Sequence, residues 1–215
     1  MAQRLRICFA RRDGVKYLSH LELMRTWERV LRRAGWRLAY SQGFNPHPRI
    51  SFAAALPVGV AGEAELLEVH LDGELRVEDA GRALAAQLPA GMEVRAVEEI
   101  PLEAPAIQRR LVAAEYVAVC PKAVSEGDLR LGVEWLLVAD SLMRERKKED
   151  KVQLYDLRPM SRWLEVTRSA GGSPSVRMEL RTDAQGAGRP DEVLREMGLD
   201  PADCEVTRTR LLLSD

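Results

Sequence analysis

The sequence lacks most of the features that point directly to a function. Aromatic residues make up only 5% of its 215 residues, and its three cysteines, Cys8, Cys120 and Cys204, lie far apart. Without a Cys-x-x-Cys or Cys-x3-Cys-x2-Cys spacing, the chain cannot by itself hold a four-cysteine zinc ion or the iron–sulfur cluster of a radical SAM enzyme. Each cysteine stands in a strand-like apolar run and reads as a buried thiol. The histidines, His20, His47 and His70, are scattered and have no paired carboxylate spacing, so no metal is expected. Phosphate-binding Gly-x4-Gly-Lys-Ser/Thr, dinucleotide Gly-x-Gly-x-x-Gly and Gly-x-Ser-x-Gly strings are missing too, so no cofactor is expected. No apolar run approaches the ~20 residues of a bilayer span, and the opening MAQRLRICFARR has no apolar signal core. The expectation is a cytoplasmic protein without a membrane partner.

Charge is abundant and unevenly spread. Charged residues make up 30% of the chain and nearly cancel, with a net charge of −1. Residues 1–50 nevertheless hold eleven Lys/Arg against three Asp/Glu, whereas residues 51–105 hold three against eleven. This is the pattern either of a molecule with a phosphate-seeking basic face or of two segments that neutralise one another.

The basic excess centres on Leu18 to Phe52. Ser19 is a good N-cap and Glu22, three residues on, completes a capping box, so a helix starts here. Leu21, Leu23, Met24, Trp27, Val30, Leu31 and Ala34 form its apolar stripe, and Arg25, Arg29, Arg32 and Arg33 form a ridge opposite, with Gly35 as the stop. Arginines near a helix C-terminus also complement its dipole, so part of the ridge needs no ligand. Arg37 to Ser41 reads as a short strand. The Gly43–Arg49 loop that follows is stiffened by two X-Pro bonds and carries Phe44, His47 and Arg49.

Alternating patterns predict strands over Arg4–Phe9, Ile50–Leu56, Glu65–Leu71 and Met92–Ile100, with a second helix over Val77–Leu88. After the Pro101–Pro105 linker the pattern restarts, with a strand over Leu111–Cys120, a Ser125-capped helix to about Ala139 and further strands. The two halves end in the same order of strand, turn, helix and strand. The predicted fold class is α+β, two tandem ferredoxin-like (βαββαβ) domains over residues 1–102 and 106–215. Lys147 and Lys148, in the run Arg144–Lys151, form either a solvated hairpin tip or a second nucleic-acid contact.

Arg49 is suited to gripping phosphate as a fork, with His47 as a donor beside it, and His20 stands at a helix start that favours anions. His20 and His47 also have the residue type for metal-independent RNA cleavage, which needs a general base and a general acid within reach of one another. His70, in an alternating strand, reads as structural. Phe9, Tyr17, Trp27, Trp36, Tyr40 and Phe44 interleave with the basic residues, as in surfaces that stack unpaired RNA bases, although the usual RNA-recognition-motif signature is absent.

The strings Leu18–Arg25 (LSHLELMR), Tyr40–Phe52 (YSQGFNPHPRISF) and Ala55–Val60 (ALPVGV), with Asp156–Pro159 and Thr207–Arg210, are similar to the radical SAM-linked (radical SAM-associated) family of largely uncharacterised bacterial proteins. That resemblance runs through essentially the whole chain. It implies a radical SAM partner, here encoded separately because this chain lacks that half, and a setting near RNA-processing genes. In plan alone the chain is also similar to tandem ferredoxin-like CRISPR repeat-processing endoribonucleases, which implies RNA as a ligand. The leading expectation is a non-catalytic accessory protein that binds RNA through Arg25, Arg29, Arg32, Arg33, Phe44, His47, Arg49, Lys147 and Lys148. A ribonuclease using His20 and His47, and a protein-only scaffold, are the alternatives.

Overall fold

A computed structural model describes residues 2–148, 151–183 and 185–214. The chain is α+β and divides into two compact units, one running to Leu111 and the other from Val112 to Ser214.

In the first unit, β1 (Ala2–Arg11) leads through a 3-10 turn to α1 (His20–Arg33), followed by β2 (Ile50–Phe52), β3 (Ala61–Asp72), α2 (Val77–Ala85), β4 (Met92–Glu99) and the short α3 (Ile107–Arg110). β1 lies between β4 and β3, and β2 pairs with the far edge of β3, all antiparallel. Side chains alternate across such a sheet. Leu5, Ile7 and Phe9 of β1 and Leu67, Val69 and Leu71 of β3 therefore share one face, where α1 adds Leu23, Trp27, Val30 and Leu31 and α2 adds Ala80 and Leu84. Phe9 meets Trp27 edge-on with ring centroids 4.8 Å apart. The capping box forms as the sequence requires, with Ser19 Oγ accepting from the Glu22 amide and the Glu22 carboxylate accepting from the Ser19 amide. Gly35 takes a φ of +81° just past the helix, a conformation that costs glycine little.

Three local expectations fail. Leu21 is 57% exposed rather than inward, because at 3.6 residues per turn it falls nearly opposite the buried Leu23, Trp27, Val30 and Leu31. Residues 37–41 make two isolated bridges, Leu38 to Leu71 and Tyr40 to Pro48, instead of a strand ladder. The strand expected over Ile50–Leu56 stops at Phe52, where the chain bends through Ala53 and Ala54.

The segment expected to be a linker is bound to the first unit. Arg4, 4% exposed, donates to the carbonyls of Leu102, Ala104 and Pro105, and Gln108 donates to the Phe52 carbonyl at 2.7 Å. The Glu68 carboxylate compensates Arg4 at 2.5 Å and Arg6 at 2.9 Å.

The second unit runs β5 (Leu111–Val119), α4 (Glu126–Val138), the hairpin β6 (Met143–Lys148) and β7 (Lys151–Asp156), β8 (Ser161–Arg168), β9 (Pro174–Asp183), β10 (Gly186–Ala187), α5 (Pro190–Glu196) and β11 (Glu205–Leu213). β5 lies between β9 and β11, and β9 also pairs with β8 and β10. Arg158 ties the hairpin base to α4 through the Leu137 carbonyl, and Asp156 accepts from the amides of Leu142 and Arg158. Cys120 is buried at the end of β5, and burial, with Cys204 as a lesser cause, pushes its thiol pKa up to about 12. No helix among the described residues is long and apolar enough to cross a membrane.

Candidate nucleic-acid interface

Four of the arginines expected to form a ridge do so. Arg25, Arg29, Arg32 and Arg33 are all exposed on the side of α1 away from the core. Among the described residues the side chains of Arg25 and Arg33 make no hydrogen bond or ion pair, and Arg29 reaches only Thr26 Oγ1 at 3.5 Å. Arg32 is engaged twice, by Glu28 at 2.6 Å and by Tyr40 Oη at 2.5 Å. An open depression lies along this face between Leu18, Glu22, Arg25, Thr26, Arg29 and Arg32. Glu22 is fully solvated, and its hydrogen bond from the Ser19 hydroxyl holds its pKa below the usual glutamate value. The surface is therefore net basic yet contains carboxylates, which suits a ligand whose negative charges are spaced apart.

Behind the ridge, the Gly43–Arg49 loop closes on itself. The Ser41 amide donates to the His47 carbonyl at 2.8 Å, and the His47 amide returns a hydrogen bond to Ser41 Oγ at 3.0 Å. Gly43 has a φ of +131°, so the loop turns where only glycine is comfortable. Phe44 stands at the apex with its whole side chain in solvent, at 106% relative exposure. A phenylalanine in that state contributes nothing to the core and offers both ring faces. Of the interleaved aromatics, Phe9, Trp27 and Trp36 are core, whereas Tyr17, Tyr40 and Phe44 are exposed.

Arg49 does not join the ridge. Ile50 and Phe52 are buried against the core, so alternation turns Arg49 and Ser51 to the opposite face of the sheet. There its guanidinium lies 3.4 Å from Nε2 of His70. The backbone fixes this meeting, since the His70 amide donates to the Arg49 carbonyl and the Arg49 amide donates to the Ala39 carbonyl. Burial first, then the charges of Arg49 and Arg4, hold the His70 imidazole below its ordinary pKa, with Glu68 opposing. A guanidinium only donates, so Nε2 is the accepting nitrogen of this contact. The sequence offered His47 as the companion of Arg49, and the structure supplies His70 instead.

Among the described residues no contact joins His20 to His47. The His20 ring stands edge-on to Phe52 at 5.3 Å. From His47 to Phe52 the chain runs five residues, roughly 16 Å when extended. Along α1, His20 and Arg32 are twelve residues or about 18 Å apart, and Arg32 is the residue that touches the loop base. An acid and a base for one 2′-hydroxyl must reach the same reacting group, and His20 is instead packed on Phe52 while the His47 amide is tied to Ser41. The side chains of Lys147 and Lys148 lie outside the described part of the structure. Among the described residues no group of three or more His, Cys, Asp or Glu side chains is placed to hold a metal ion.

Among solved structures the chain is similar to one in "Crystal Structure of a Cbf5-Nop10-Gar1 Complex", with a TM-score of 0.51 at 14% identity over 98% of this chain and 50% of that chain. The likeness is one of fold, and this chain spans only about half the length of the other. Weaker matches, with TM-scores of 0.28 to a putative glycine cleavage system transcriptional repressor (12% identity, 100% and 99% of the two chains) and 0.26 to ferric DtpA from Streptomyces lividans (13%, 100% and 89%), carry no argument. No curated protein matches the sequence. Residues 4–190 match a family model, and the chain belongs to that family, described as "Uncharacterized protein conserved in bacteria (DUF2344)".

Proposed function

We propose that this chain is a non-catalytic, RNA-binding accessory protein serving a separately encoded radical SAM enzyme, and that its two units are ferredoxin-like domains in tandem. Strand orders of β4-β1-β3-β2 in the first unit and β11-β5-β9-β8 in the second support the domain reading, each with two helices in the βαββαβ order. The partner reading rests on the likeness of the Leu18–Arg25 and Tyr40–Phe52 strings to the radical SAM-linked family.

The observation that carries the RNA reading is the Arg32–Tyr40 contact, which joins the arginine ridge to the base of the loop that presents Phe44. Spaced guanidiniums beside an exposed, sequence-indifferent aromatic ring form the combination that tracks a single strand, with charge on the phosphates and stacking on a base. The test is fluorescence anisotropy of a labelled single-stranded oligoribonucleotide against salt. Replacing Arg25, Arg29 and Arg33 together by Ala removes three phosphate contacts and lowers the log–log salt slope by about 2. Affinity and slope both unchanged would refute the interface. For the partner, the tagged chain recovered from its own cells after nuclease treatment is expected to bring a radical SAM protein with it, and recovery without one removes that half of the proposal.

A further inference from the structure

A second basic cluster lies on the sheet face opposite α1. Arg4 and His70 are directly opposed in the β1–β3 register, Arg49 approaches His70 to 3.4 Å, and Arg37 belongs to this face by alternation from Leu38. The acids on this face are few. Glu68 is buried and taken up by Arg4 and Arg6, Glu98 is bound to Arg6, Asp72 stands across from Arg37 at the end of β3, and Glu103 is carried by the segment whose carbonyls hold Arg4. Among the described residues neither Arg37 nor Arg49 has an ion-pair partner. Arg4 is spent on Glu68 and three carbonyls, yet its Nε, in a side chain only 5% exposed, has no hydrogen-bond partner among the described residues.

A guanidinium facing an imidazole, with a second arginine across the register, is an unfavourable arrangement unless an anion completes it. Arg49 has five donors and no acceptor, and its contact with Nε2 spends the ring's only acceptor. An oxyanion that replaced the direct contact of the two side chains would accept the guanidinium fork and an N–H from His70. We propose that Arg49 and His70 form an oxyanion-binding subsite for a phosphate group, on the face of the first unit away from the arginine ridge. That this phosphate belongs to RNA rests on the reading above, whereas the site itself does not.

The protein has only three histidines, so ring-proton NMR of the full chain can follow each one. Sulfate is the probe because it stays dianionic throughout the titration of an imidazole, with chloride at matched ionic strength as the control. Sulfate is expected to raise the apparent pKa of His70 by about one unit, equivalent to roughly tenfold tighter sulfate binding to the protonated ring. His20 and His47 should follow the chloride control, and Arg49→Gln should abolish the His70 response. No selective response of His70, or an undiminished one in Arg49→Gln, overturns the site. A second arm uses an oligouridylate. A bound oligonucleotide that moves His70 as sulfate does supports RNA phosphate as the occupant, and one that leaves His70 unmoved overturns that assignment. Failure of the oligonucleotide to bind at all counts against the RNA reading and leaves the sulfate result standing.

Discussion

Glu68→Gln tests how the first unit is held together, because the substitution preserves shape and deletes one charge. The Glu68 side chain is 2% exposed and accepts from Arg4 at 2.5 Å and from Arg6 at 2.9 and 3.1 Å. Without it two guanidiniums lose their shared counter-ion, and Arg4, held by the carbonyls of residues 102–105, cannot swing into water to recover solvation. Removing one partner of a buried pair costs about 3–5 kcal/mol. At about 4 °C per kcal/mol for a unit of this size, the melting temperature of the first unit should fall by roughly 12–20 °C. Glu98 is the internal comparison, since it also pairs with Arg6 but is 59% exposed, and Glu98→Gln should cost below about 1 kcal/mol. Tryptophan fluorescence during urea unfolding reads the first unit through the buried Trp27 and Trp36 once Trp135 and Trp163 of the second unit are replaced by Phe, and calorimetry reads both units. Replacing Arg4 and Glu68 together by Met should recover part of the loss, because a buried pair replaced by apolar groups is often neutral. A Glu68→Gln loss no larger than that of Glu98→Gln would refute the account.

Two smaller perturbations test the outer features. Phe44→Ala should leave stability within about 0.5 kcal/mol of the parent and weaken oligoribonucleotide binding by roughly 1–3 kcal/mol, and RNA affinity equal to the parent's would exclude stacking on that ring. Hydrogen bonds from the Leu142 and Arg158 amides hold the Asp156 carboxylate below its usual pKa, with the Leu142 amide the largest cause. A depressed carboxylate stabilises the fold above its unfolded pKa and loses that contribution as pH falls through its folded pKa. Hydrogen exchange of the Leu142 and Arg158 amides should therefore accelerate relative to the global rate below about pH 4, and Asp156→Ala should remove that pH dependence. Protection that stays constant through acid would contradict it.

Local chemistry made much of the first unit legible. The Ser19–Glu22 box sets the start of α1 because both halves of the motif lie within four residues, and Gly35 sets its end. The α2 and β4 segments follow from periodicity alone. Register was not legible. That Arg49 meets His70 depends on Ile50 pairing with Val69, a non-local choice, and one residue of slip would turn Arg49 to the other face. Alternation within ELLEVHL does put His70 beside Glu68 on the polar face, so the signal was half present, but nothing in it names the residue opposite. The apolar run Ile50–Leu56 promised a long strand because composition does not reveal the bend at Ala53. The hold of Arg4 on residues 102–105 was invisible for the same reason as the register, since it joins positions about a hundred residues apart.

The thiol at the end of β5 gives the second unit its own reporter. Alkylating reagents attack thiolate, and a group whose pKa is pushed up to about 12 and whose side chain is buried offers almost none while the fold is closed. Once the strand end opens, Cys120 reverts to an ordinary cysteine and becomes labelable. The rate at which iodoacetamide captures Cys120, read on its own peptide by mass spectrometry so that the half-buried Cys8 and Cys204 are counted apart, therefore reports openings of that strand end without any engineered tag.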